Sequence, residues 1–282
     1  MSKRLQVFKC VERSLDVSIL VISDVHADIR ALEAILEITA DTRFVRKHSE
    51  VELILNLGDT VERGYHPREV IDSLRALEKT RPVVSLLGNH DEALLLGAPV
   101  SGSDSRSRQA HTNLGAYTSY LEALPDCYIN EDNRILAVHG GPIDPHRLGA
   151  GWLYHRSWQR ISSRSYVDAS GYHYTPVEAF EYVREMCGIG YVILCGHDHD
   201  AAAYSDRRGN VLAMMRVEHH RYAGYDVALR GIARDLDTSY LVRVGIAGPE
   251  GYQRFGYKQA HFGLISQRDG RQRIELFSFA LA

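Results

Sequence analysis

The stretch VSILVISDVHADIRALEAIL, residues 17–36, joins a short apolar run to a helical pattern through a polar block. Residues 17–22 are mostly apolar and rich in β-branched side chains, which is typical of a strand buried on both faces of a sheet. Asp28 is placed to cap the helix that follows, whose apolar residues recur on one stripe. Asp24 and His26, two side chains of metal-ligating type, therefore stand at the end of a buried strand.

The same alternation of strand and helix continues in the following segment. A second strand pattern, residues 51–57, leads to Asp59, and a helix opened by proline comes next. A third strand pattern, residues 82–87, leads to Asn89 and His90. Strands that alternate with helices predict a mostly parallel sheet, in which ligands gather at the carboxyl ends of the strands.

Two more polar blocks follow strand patterns later in the chain. Residues 134–138 lead to His139, and residues 191–195 lead to His197 and His199. Five strand ends would thus deliver seven candidate metal ligands to one edge of the domain, namely Asp24, His26, Asp59, Asn89, His139, His197 and His199. Such a set predicts a binuclear metal site and points to hydrolysis of a phosphate ester.

The mixture of ligand types narrows the choice of metal. Carboxylates together with imidazoles suit Mn, Fe, Zn, Co or Ni better than Mg or Ca, which prefer oxygen ligands alone. We expect two divalent transition-metal ions, with manganese the leading candidate. Because two cations about 3.5–4 Å apart share a bridging ligand, the two oxygens of Asp59 make it the natural bridge.

The rest of the chain predicts the remaining architecture. Helices are expected over residues 113–124 and from a capping box at Thr175 to about Cys187. The final third is predicted to form antiparallel strands of a second sheet, at residues 211–215, 239–246, 261–266 and 273–279. Since no linker interrupts the sequence, residues 1–282 are predicted to be one α/β domain (an α+β sandwich) of two packed mixed β-sheets flanked by helices. Loop or cap segments are expected near residues 97–112, 140–174 and 216–236.

Composition limits the possible partners and compartment. The chain has 282 residues and a formal net charge of −3, which argues against a strongly basic nucleic-acid binder. Its four cysteines have no CxxC spacing and resemble reduced, intracellular usage. No apolar run approaches the length of a membrane span, and the first residues do not resemble a signal peptide, so we expect a cytoplasmic protein without membrane contact.

The five blocks resemble the motifs of the calcineurin-like metallophosphoesterase superfamily. The matching segments are SDVHAD, GDTVERG, LLGNHDE, VHGGP and GHDH, at residues 23–28, 58–64, 86–92, 138–142 and 196–199. Nearly the whole chain is similar to the small bacterial phosphodiesterase-like branch of this superfamily. Arg63 lies four residues after Asp59, as in the GDxxDRG pattern of protein phosphatases.

The resemblance implies a role for each candidate residue. Asp24, His26, Asp59 and His199 would hold the first metal, and Asp59, Asn89, His139 and His197 would hold the second. A water or hydroxide between the metals would be the nucleophile. His90 would stabilise the phosphoryl oxygens or protonate the leaving alkoxide, and Arg63 would bind phosphate through its planar fork. These implications make His90, Arg63 and Asp59 the predicted catalytic residues.

Three positions depart from the family pattern. Asp28 stands where Asn or Gln is common, which removes an amide donor and would repel an anionic substrate. Glu62 stands where protein phosphatases have the Asp that pairs with the catalytic histidine, so the pairing of Glu62 with His90 is open. Asp198 replaces the usual Thr or Ser, and we expect it not to contact the metals.

Other residues are weaker candidates for substrate contact. They are Arg106 and Arg108, which could gate the site, five side chains that could line a pocket (His146, Arg147, Trp152, His155 and Trp158), and a basic aromatic segment at 216–234 that could stack a base.

We expect a small phosphoester or nucleotide as the substrate. The sequence leaves open a phosphoprotein, as for a Ser/Thr-type protein phosphatase, and a protein-binding scaffold with this fold. A nuclease is disfavoured by the net charge, and the oligomeric state is open.

Overall fold

The computed structural model describes residues 6–7, 18–98, 100, 103–268 and 270–281. The first residue of the strand pattern at 17–22 and parts of the expected loop at 97–112 lie outside these described residues. The α-helices are α1 (Ile29–Ala40), α2 (Thr42–His48), α3 (Pro67–Glu78), α4 (Asn89–Leu96), α5 (Ser105–Ala110), α6 (Ala116–Glu122), α7 (Pro145–Leu148) and α8 (Pro176–Cys187). Short 3₁₀ turns occur at Trp152–Tyr154, Arg156–Trp158, Leu212–Met214 and Glu250–Phe255.

The strands belong to two large sheets and one small one. In chain order they are β1 (Gln6–Val7), β2 (Ser18–Ile22), β3 (Leu53–Asn56), β4 (Val83–Ser85), β5 (Cys127–Asn130), β6 (Ile135–Val138), β7 (Arg160–Ile161), β8 (Tyr166–Asp168), β9 (Gly171–Tyr174), β10 (Val192–Cys195), β11 (Ala202–Ser205), β12 (Gly209–Asn210), β13 (Arg216–Tyr222), β14 (Tyr225–Ala233), β15 (Tyr240–Arg243), β16 (Gln259–Arg268) and β17 (Arg271–Ala280). The small sheet has the order β7-β9-β8 and lies in the segment 140–174.

The first large sheet has the order β13-β14-β17-β16-β2-β3-β4. Strands β2, β3 and β4 are parallel, as their alternation with α1 and α3 predicts. Asp28 caps α1 by accepting a hydrogen bond from the Ala31 amide at 3.0 Å. Strand β16 then pairs antiparallel with β2, opposing Gly263 to Val21. This arrangement brings the carboxyl ends of the three parallel strands to one edge.

The second large sheet has the order β1-β5-β6-β10-β15-β11-β12. Its centre is parallel, because β10 pairs in parallel with both β6 and β15. Side chains from both sheets meet in one buried cluster, which includes Val21, Leu55, Ala137 and Leu194. The two sheets are therefore packed face to face.

Helices cover the outer faces of this sandwich. One buried cluster joins α1 and α3 to the first sheet, with Leu32, Ile35 and Leu74 among its members. Another joins α8 to the second sheet through Phe180 and Val183. The prediction of two packed mixed sheets flanked by helices is confirmed. The capping box at Thr175 is confirmed as well, since its side chain accepts from the Glu178 amide.

The prediction that the strands of the final third form one separate antiparallel sheet was wrong, because they divide between the two large sheets. Strand β15 joins the sheet of β10 and pairs with it in parallel, whereas β14, β16 and β17 extend the sheet of β2. Residues 211–215 are not a strand, because Leu212–Met214 forms a 3₁₀ turn. Local patterns identify strands, but pairing between distant strands depends on tertiary packing that the patterns do not contain.

All three expected loop segments contain regular structure, and the small sheet β7-β9-β8 already accounts for that in residues 140–174. The helix α5 lies within residues 97–112, and its N-cap Asp104 accepts a hydrogen bond from the Ser107 amide. Residues 216–236 include the β13–β14 hairpin, which joins the first sheet through β17. In the described part of the chain, every helix is too short or too polar to cross a bilayer.

Candidate metal centre

The seven predicted ligands meet at one edge of the sandwich. The first sheet supplies Asp24, His26, Asp59 and Asn89 from the ends of β2, β3 and β4, and the second sheet supplies His139, His197 and His199 from the ends of β6 and β10. All seven are buried except His199, which is partly exposed. The ends of two sheets, and not of one alone, therefore build the site.

One group of ligand atoms lies around His26. The group contains Asp24, His26 and His199, whose ligand atoms all lie within 4.8 Å of one another. The Nε2 atoms of His26 and His199 are 3.2 Å apart, and Nε2 of His199 is 3.5 Å from Oδ1 of Asp24. These separations match ligand atoms on one ion, which sit about 3.0–3.4 Å apart when each bond is about 2.1 Å.

A second group lies around His139. It contains Asp59, His139 and His197, again within 4.8 Å of one another. The Nε2 atom of His139 is 3.1 Å from Oδ1 of Asn89 and 3.3 Å from Oδ2 of Asp59. Four side chains from four different strand ends thus surround one point.

Asp59 lies between the two groups. Its Oδ1 accepts a hydrogen bond from the His90 amide at 2.8 Å. Its Oδ2 lies 3.3 Å from Nε2 of His139 and 3.7 Å from Nε2 of His26, and it has no hydrogen-bond donor within the described residues. A buried carboxylate oxygen without a donor, placed between two imidazoles, fits a bridging metal ligand.

The tautomers of the two imidazoles support this interpretation. Nδ1 of His26 donates to the Val61 carbonyl at 3.2 Å, and Nδ1 of His139 donates to the Leu57 carbonyl at 3.0 Å. In a neutral ring with its proton on Nδ1, Nε2 carries the lone pair that can bind a metal ion. Such bonds from the far ring nitrogen orient metal-ligating histidines in general. Both rings therefore turn Nε2 toward the centre and Asp59, as ligation of a divalent cation requires.

Electrostatics lead to the same conclusion. Burial holds the pKa of His26 and of His197 well below the ordinary value, so both rings are neutral and able to ligate. Burial also acts to raise the pKa of Asp59, but His139 and His90 hold it below its ordinary value. Burial would lower the pKa of His139, yet the charge of Asp59 raises it to about 9. A positive charge is therefore stabilised between these groups.

Backbone strain is concentrated in the ligand loops. Among the described residues, twelve non-glycine residues have a positive φ, and eight of them lie in these loops: Asp24, His26, Ala27, Asp59, Glu62, Arg63, His197 and His199. A positive φ is unfavourable for side chains with a Cβ, and such residues cluster at functional sites. Gly88 permits close approach, because a Cβ there would clash with the backbone and carboxylate of Asp59.

Asp91 is a positioning residue that the sequence interpretation missed. Its Oδ1 accepts from the amides of Thr60 and Val61 at 2.9 and 3.1 Å, and its Oδ2 accepts from the Gly88 amide at 3.0 Å. The side chain thus ties the Asp59 loop to the start of α4. The sequence did offer a signal for Asp91, since it is an acidic residue directly after Asn89 and His90 at the start of a helix.

His90 lies beside the first group without the partner that protein phosphatases would give it. Its ring is 5.0 Å from the ring of His26, measured between centroids. Its buried Nδ1 has no hydrogen-bond partner in the part of the chain that is described. The Glu62 carboxylate accepts instead from Ser103 at 2.9 Å. The structure therefore shows no Glu62–His90 pair.

Arg63 is held by an aromatic residue that the sequence interpretation also missed. Its guanidinium lies over the ring of Tyr252 at 4.8 Å, and Tyr252 in turn lies 4.8 Å from the ring of His26 and 4.2 Å from that of His199. Tyr252 belongs to the 3₁₀ turn at Glu250–Phe255, almost 190 residues after Arg63 in the chain. Tyr252 thus holds the Arg63 guanidinium beside His26 and His199 of the first group.

The other two departures from the family pattern have structural partners. Both oxygens of Asp28 accept from backbone amides, those of Ala31 and Glu250. This buried carboxylate is thus used as a cap, and the expected repulsion of substrate is not supported by its position. Asp198 binds Arg160 and Arg243 at 2.8 and 2.7 Å. Its oxygens are therefore taken by two guanidinium groups.

Most of the weaker candidates have partners of their own. Arg106 stacks on Tyr65, Arg108 donates to the Ser103 carbonyl, and Arg147 pairs with Glu185. His146 is exposed. The basic segment at 216–234 lies at the outer edge of the first sheet, where His220 contacts Lys47. Trp152, His155 and Trp158, by contrast, lie in one segment next to α4.

Comparison with known proteins gives a consistent result. Residues 17–201 match the calcineurin-like phosphoesterase family. An uncharacterized protein of Methanocaldococcus jannaschii is 35% identical over 273 residues, which cover 91% of this chain and 85% of that protein. A metallophosphoesterase from Sphaerobacter thermophilus is 25% identical with a TM-score of 0.56, over 92% of this chain and 87% of that chain.

A more distant similarity extends to other enzymes of this fold. A protein serine/threonine phosphatase from Saccharomyces cerevisiae is 16% identical with a TM-score of 0.56, over 95% of this chain and 81% of that chain. At this level of identity the likeness concerns the fold alone.

Proposed function

Because this chain belongs to the calcineurin-like phosphoesterase family, we propose that it is a binuclear, metal-dependent hydrolase of phosphate mono- or diesters. One observation carries the proposal. The buried Asp59 oxygen that lacks a donor stands between two groups of imidazole and carboxylate ligands. A shared carboxylate between two such groups is the arrangement that two neighbouring cations need.

Each ligand group would hold one divalent cation. Asp24, His26, His199 and Asp59 form the first group, and Asp59, Asn89, His139 and His197 form the second. When bound, the two cations lower the pKa of water and neutralise the charge that develops on the phosphoryl group. The nitrogen and oxygen donors suit Mn and also Fe, Zn, Co or Ni, and manganese is the ion that we propose to test first.

The remaining residues act on the phosphoryl group. Water adds its oxygen to phosphorus, the bond from phosphorus to the leaving oxygen breaks, and the leaving alcohol takes up a proton. His90 lies next to Asp59 and His26 and is placed to contact the phosphoryl or leaving oxygen. Arg63, oriented by Tyr252, is placed to bind a phosphoryl oxygen with its fork of donors.

The contacts of Glu62 and His90 favour a small phosphoester or nucleotide substrate over a phosphoprotein. Protein phosphatases of this fold would pair the catalytic histidine with a carboxylate. Here Glu62 bonds with Ser103, and Nδ1 of His90 has no partner among the described residues. The scaffold alternative would be expected to lose ligands, whereas all seven candidate ligands are present and lie close together.

The test measures hydrolysis of p-nitrophenyl phosphate and bis-p-nitrophenyl phosphate by the purified protein, with Mn²⁺ added or with chelator present. Two variants address the site, Asp59→Asn and His90→Ala. Their matched controls are Asp132→Asn and His219→Ala, which change exposed residues away from the site. Bound metal is counted in every variant.

We expect turnover that requires metal and falls by about a thousandfold in Asp59→Asn. His90→Ala should retain its metal and lose turnover by about a hundredfold or more, because it removes a contact to the reacting group. Both controls should match the parent protein. Absence of turnover on both esters with two metals bound would refute the proposal for such substrates and favour the scaffold.

A further inference from the structure

The segment of residues 152–160, here called the tryptophan segment, contains both tryptophans of the chain. It consists of two 3₁₀ turns and the start of β7. None of its residues belongs to the ligand groups described above. Its contacts nevertheless connect it to the helix α4 and to two loops, which together carry the candidate ligands Asn89, His139 and His197 of the second group.

The first connection is to the loop after His139. The amides of Gly140 and Gly141 both donate to the Arg156 carbonyl, at 3.1 and 2.9 Å. Gly140 has no room for a side chain, because a Cβ would clash with the carbonyl of Gln159. The tryptophan segment is therefore packed directly against the residues that follow His139.

The second connection is a cluster of donors on Glu92. Its Oε1 accepts from Nδ1 of His155 at 2.9 Å, and its Oε2 accepts from Ser157 and from the Trp158 indole, both at 2.9 Å. Glu92 comes three residues after Asn89 in α4, so the two side chains lie on the same helix face about one turn apart. His155 is thus held within about one helical turn of a second-group ligand.

The third connection runs through Arg160. Its Nη1 binds Oδ1 of Asp198 at 2.8 Å, and Asp198 lies between His197 and His199 in sequence. The three connections together place the tryptophan segment along the second-group side of the centre. A substrate with its phosphoryl group between the two ligand groups would meet this segment if its remaining part extends to the second-group side.

The segment presents an aromatic face and a polar group to solvent. Trp152 is 46% exposed and meets Trp158 edge to face, with ring centroids 4.6 Å apart. The His155 side chain is also 46% exposed, and its bond to Glu92 leaves Nε2 to contact a ligand. An exposed indole fixed by a second ring costs little entropy when a planar ring stacks on it.

We propose that the tryptophan segment recognises the nucleoside part of a nucleotide substrate, with the base stacked on Trp152 and an oxygen of the ribose or a second phosphate bound by His155. The proposal rests on the proposed phosphoesterase function and names its substrate class. The geometry supports this assignment, because His155 and Trp158 both bind Glu92 of α4 and Trp152 packs on the ring of Trp158.

The test uses two ligands that differ by the nucleoside alone. They are α,β-methylene adenosine diphosphate, whose P–C–P bridge resists hydrolysis, and methylenediphosphonate, which has no nucleoside. Affinities are measured by calorimetry on the full chain with Mn²⁺. Tryptophan emission, excited at 295 nm, follows stacking, since only Trp152 and Trp158 contribute to it.

We expect the nucleotide analogue to bind at least tenfold more tightly than methylenediphosphonate and to quench the emission. Trp152→Ala should weaken binding of the nucleotide analogue at least fivefold and leave methylenediphosphonate unchanged. Trp152→Phe, which keeps a ring, should stay within threefold of the parent protein. Met214→Ala, a change at another exposed apolar residue, should have no effect.

Equal affinities for the two ligands, or unchanged nucleotide binding in Trp152→Ala, would overturn the proposal. This result is distinct from failure of the proposed function. An active phosphoesterase without a nucleoside preference would refute nucleoside recognition only. A protein that binds the nucleotide analogue and quenches, but hydrolyses no aryl ester, would support recognition and contradict the general hydrolase activity.

Discussion

Two buried carboxylates in this molecule have nearly the same exposure and opposite surroundings. Asp59 is 1% exposed and Glu275 is 2% exposed. Glu275, on β17, receives hydrogen bonds from His48, Ser266 and Arg273, at 3.1, 3.2 and 3.1 Å. Asp59 receives one from the His90 amide, and its second oxygen faces the imidazole nitrogens of the centre.

The difference separates a structural carboxylate from a candidate metal ligand. A buried charge is costly unless donors or opposite charges compensate it. Donors within the fold meet that need at Glu275, so the protein alone stabilises it. At Asp59 the neighbouring groups are imidazoles of metal-ligating type, and bound cations would supply the compensating charge. The first arrangement should therefore be indifferent to metal, and the second should depend on it.

The largest expected effect is metal-dependent stabilisation. Ligands that bind only the folded state stabilise it by mass action, by about 2.7 kcal/mol at a concentration 100 times the Kd. Mn²⁺ should therefore raise the free energy of unfolding of the parent protein and of Glu275→Gln alike. Asp59→Asn should lose most of this increase, as measured by urea unfolding with and without Mn²⁺. An equal increase in all three proteins would show that the cation binds elsewhere.

The next effect concerns Glu275 itself. Glu275→Gln should lower the free energy of unfolding by about 2 kcal/mol, because it removes the charge that His48 and Arg273 compensate. The loss should be the same in Mn²⁺ and in chelator, since this cluster has no role for a cation. Glu131→Gln, at an exposed position, is the matched control. A loss of stability that appears only in chelator would show that the Glu275 cluster depends on the metal centre, which contradicts the contrast drawn with Asp59.

A smaller effect is expected at Asp91. Asp91→Asn keeps the acceptor for Thr60 and Val61 but places an amide against the Gly88 N–H. An unpaired buried donor costs about 1.5 kcal/mol. Because the side chain positions the loop of Asp59, the concentration of Mn²⁺ needed for half-maximal activity should rise several-fold. Unchanged metal dependence would make Asp91 a purely structural residue.

The smallest effect is the acid dependence of the Glu275 cluster. Burial acts to raise the pKa of Glu275, but the bond and charge of His48 hold it below the ordinary value of 4.5. A lowered pKa means that the folded state binds its proton less readily than the unfolded state does. The stability difference between the parent protein and Glu275→Gln should thus be full above pH 4.5 and shrink as pH falls below it. A difference that grows toward acid pH would contradict this sign.

The convergence of the seven candidate ligands was predictable because it depends on local patterns. Each block follows an apolar run, and the ends of neighbouring strands meet by the geometry of the sheet. The sheets to which β15 and β16 belong were not predictable, since pairing partners are distant in sequence. The same holds for Tyr252 beneath Arg63 and for Glu92 beneath His155. These contacts depend on how loops pack, and no periodicity in the sequence records that packing.

The most direct test of the central claim is anomalous X-ray diffraction from a crystal of the protein soaked in Mn²⁺. The account predicts two manganese peaks about 3.5–4 Å apart, on either side of Oδ2 of Asp59. One peak should lie among Asp24, His26 and His199, and the other among Asn89, His139 and His197. Peaks away from Asp59, or an empty centre at saturating Mn²⁺, would contradict the claim that this carboxylate bridges two cations.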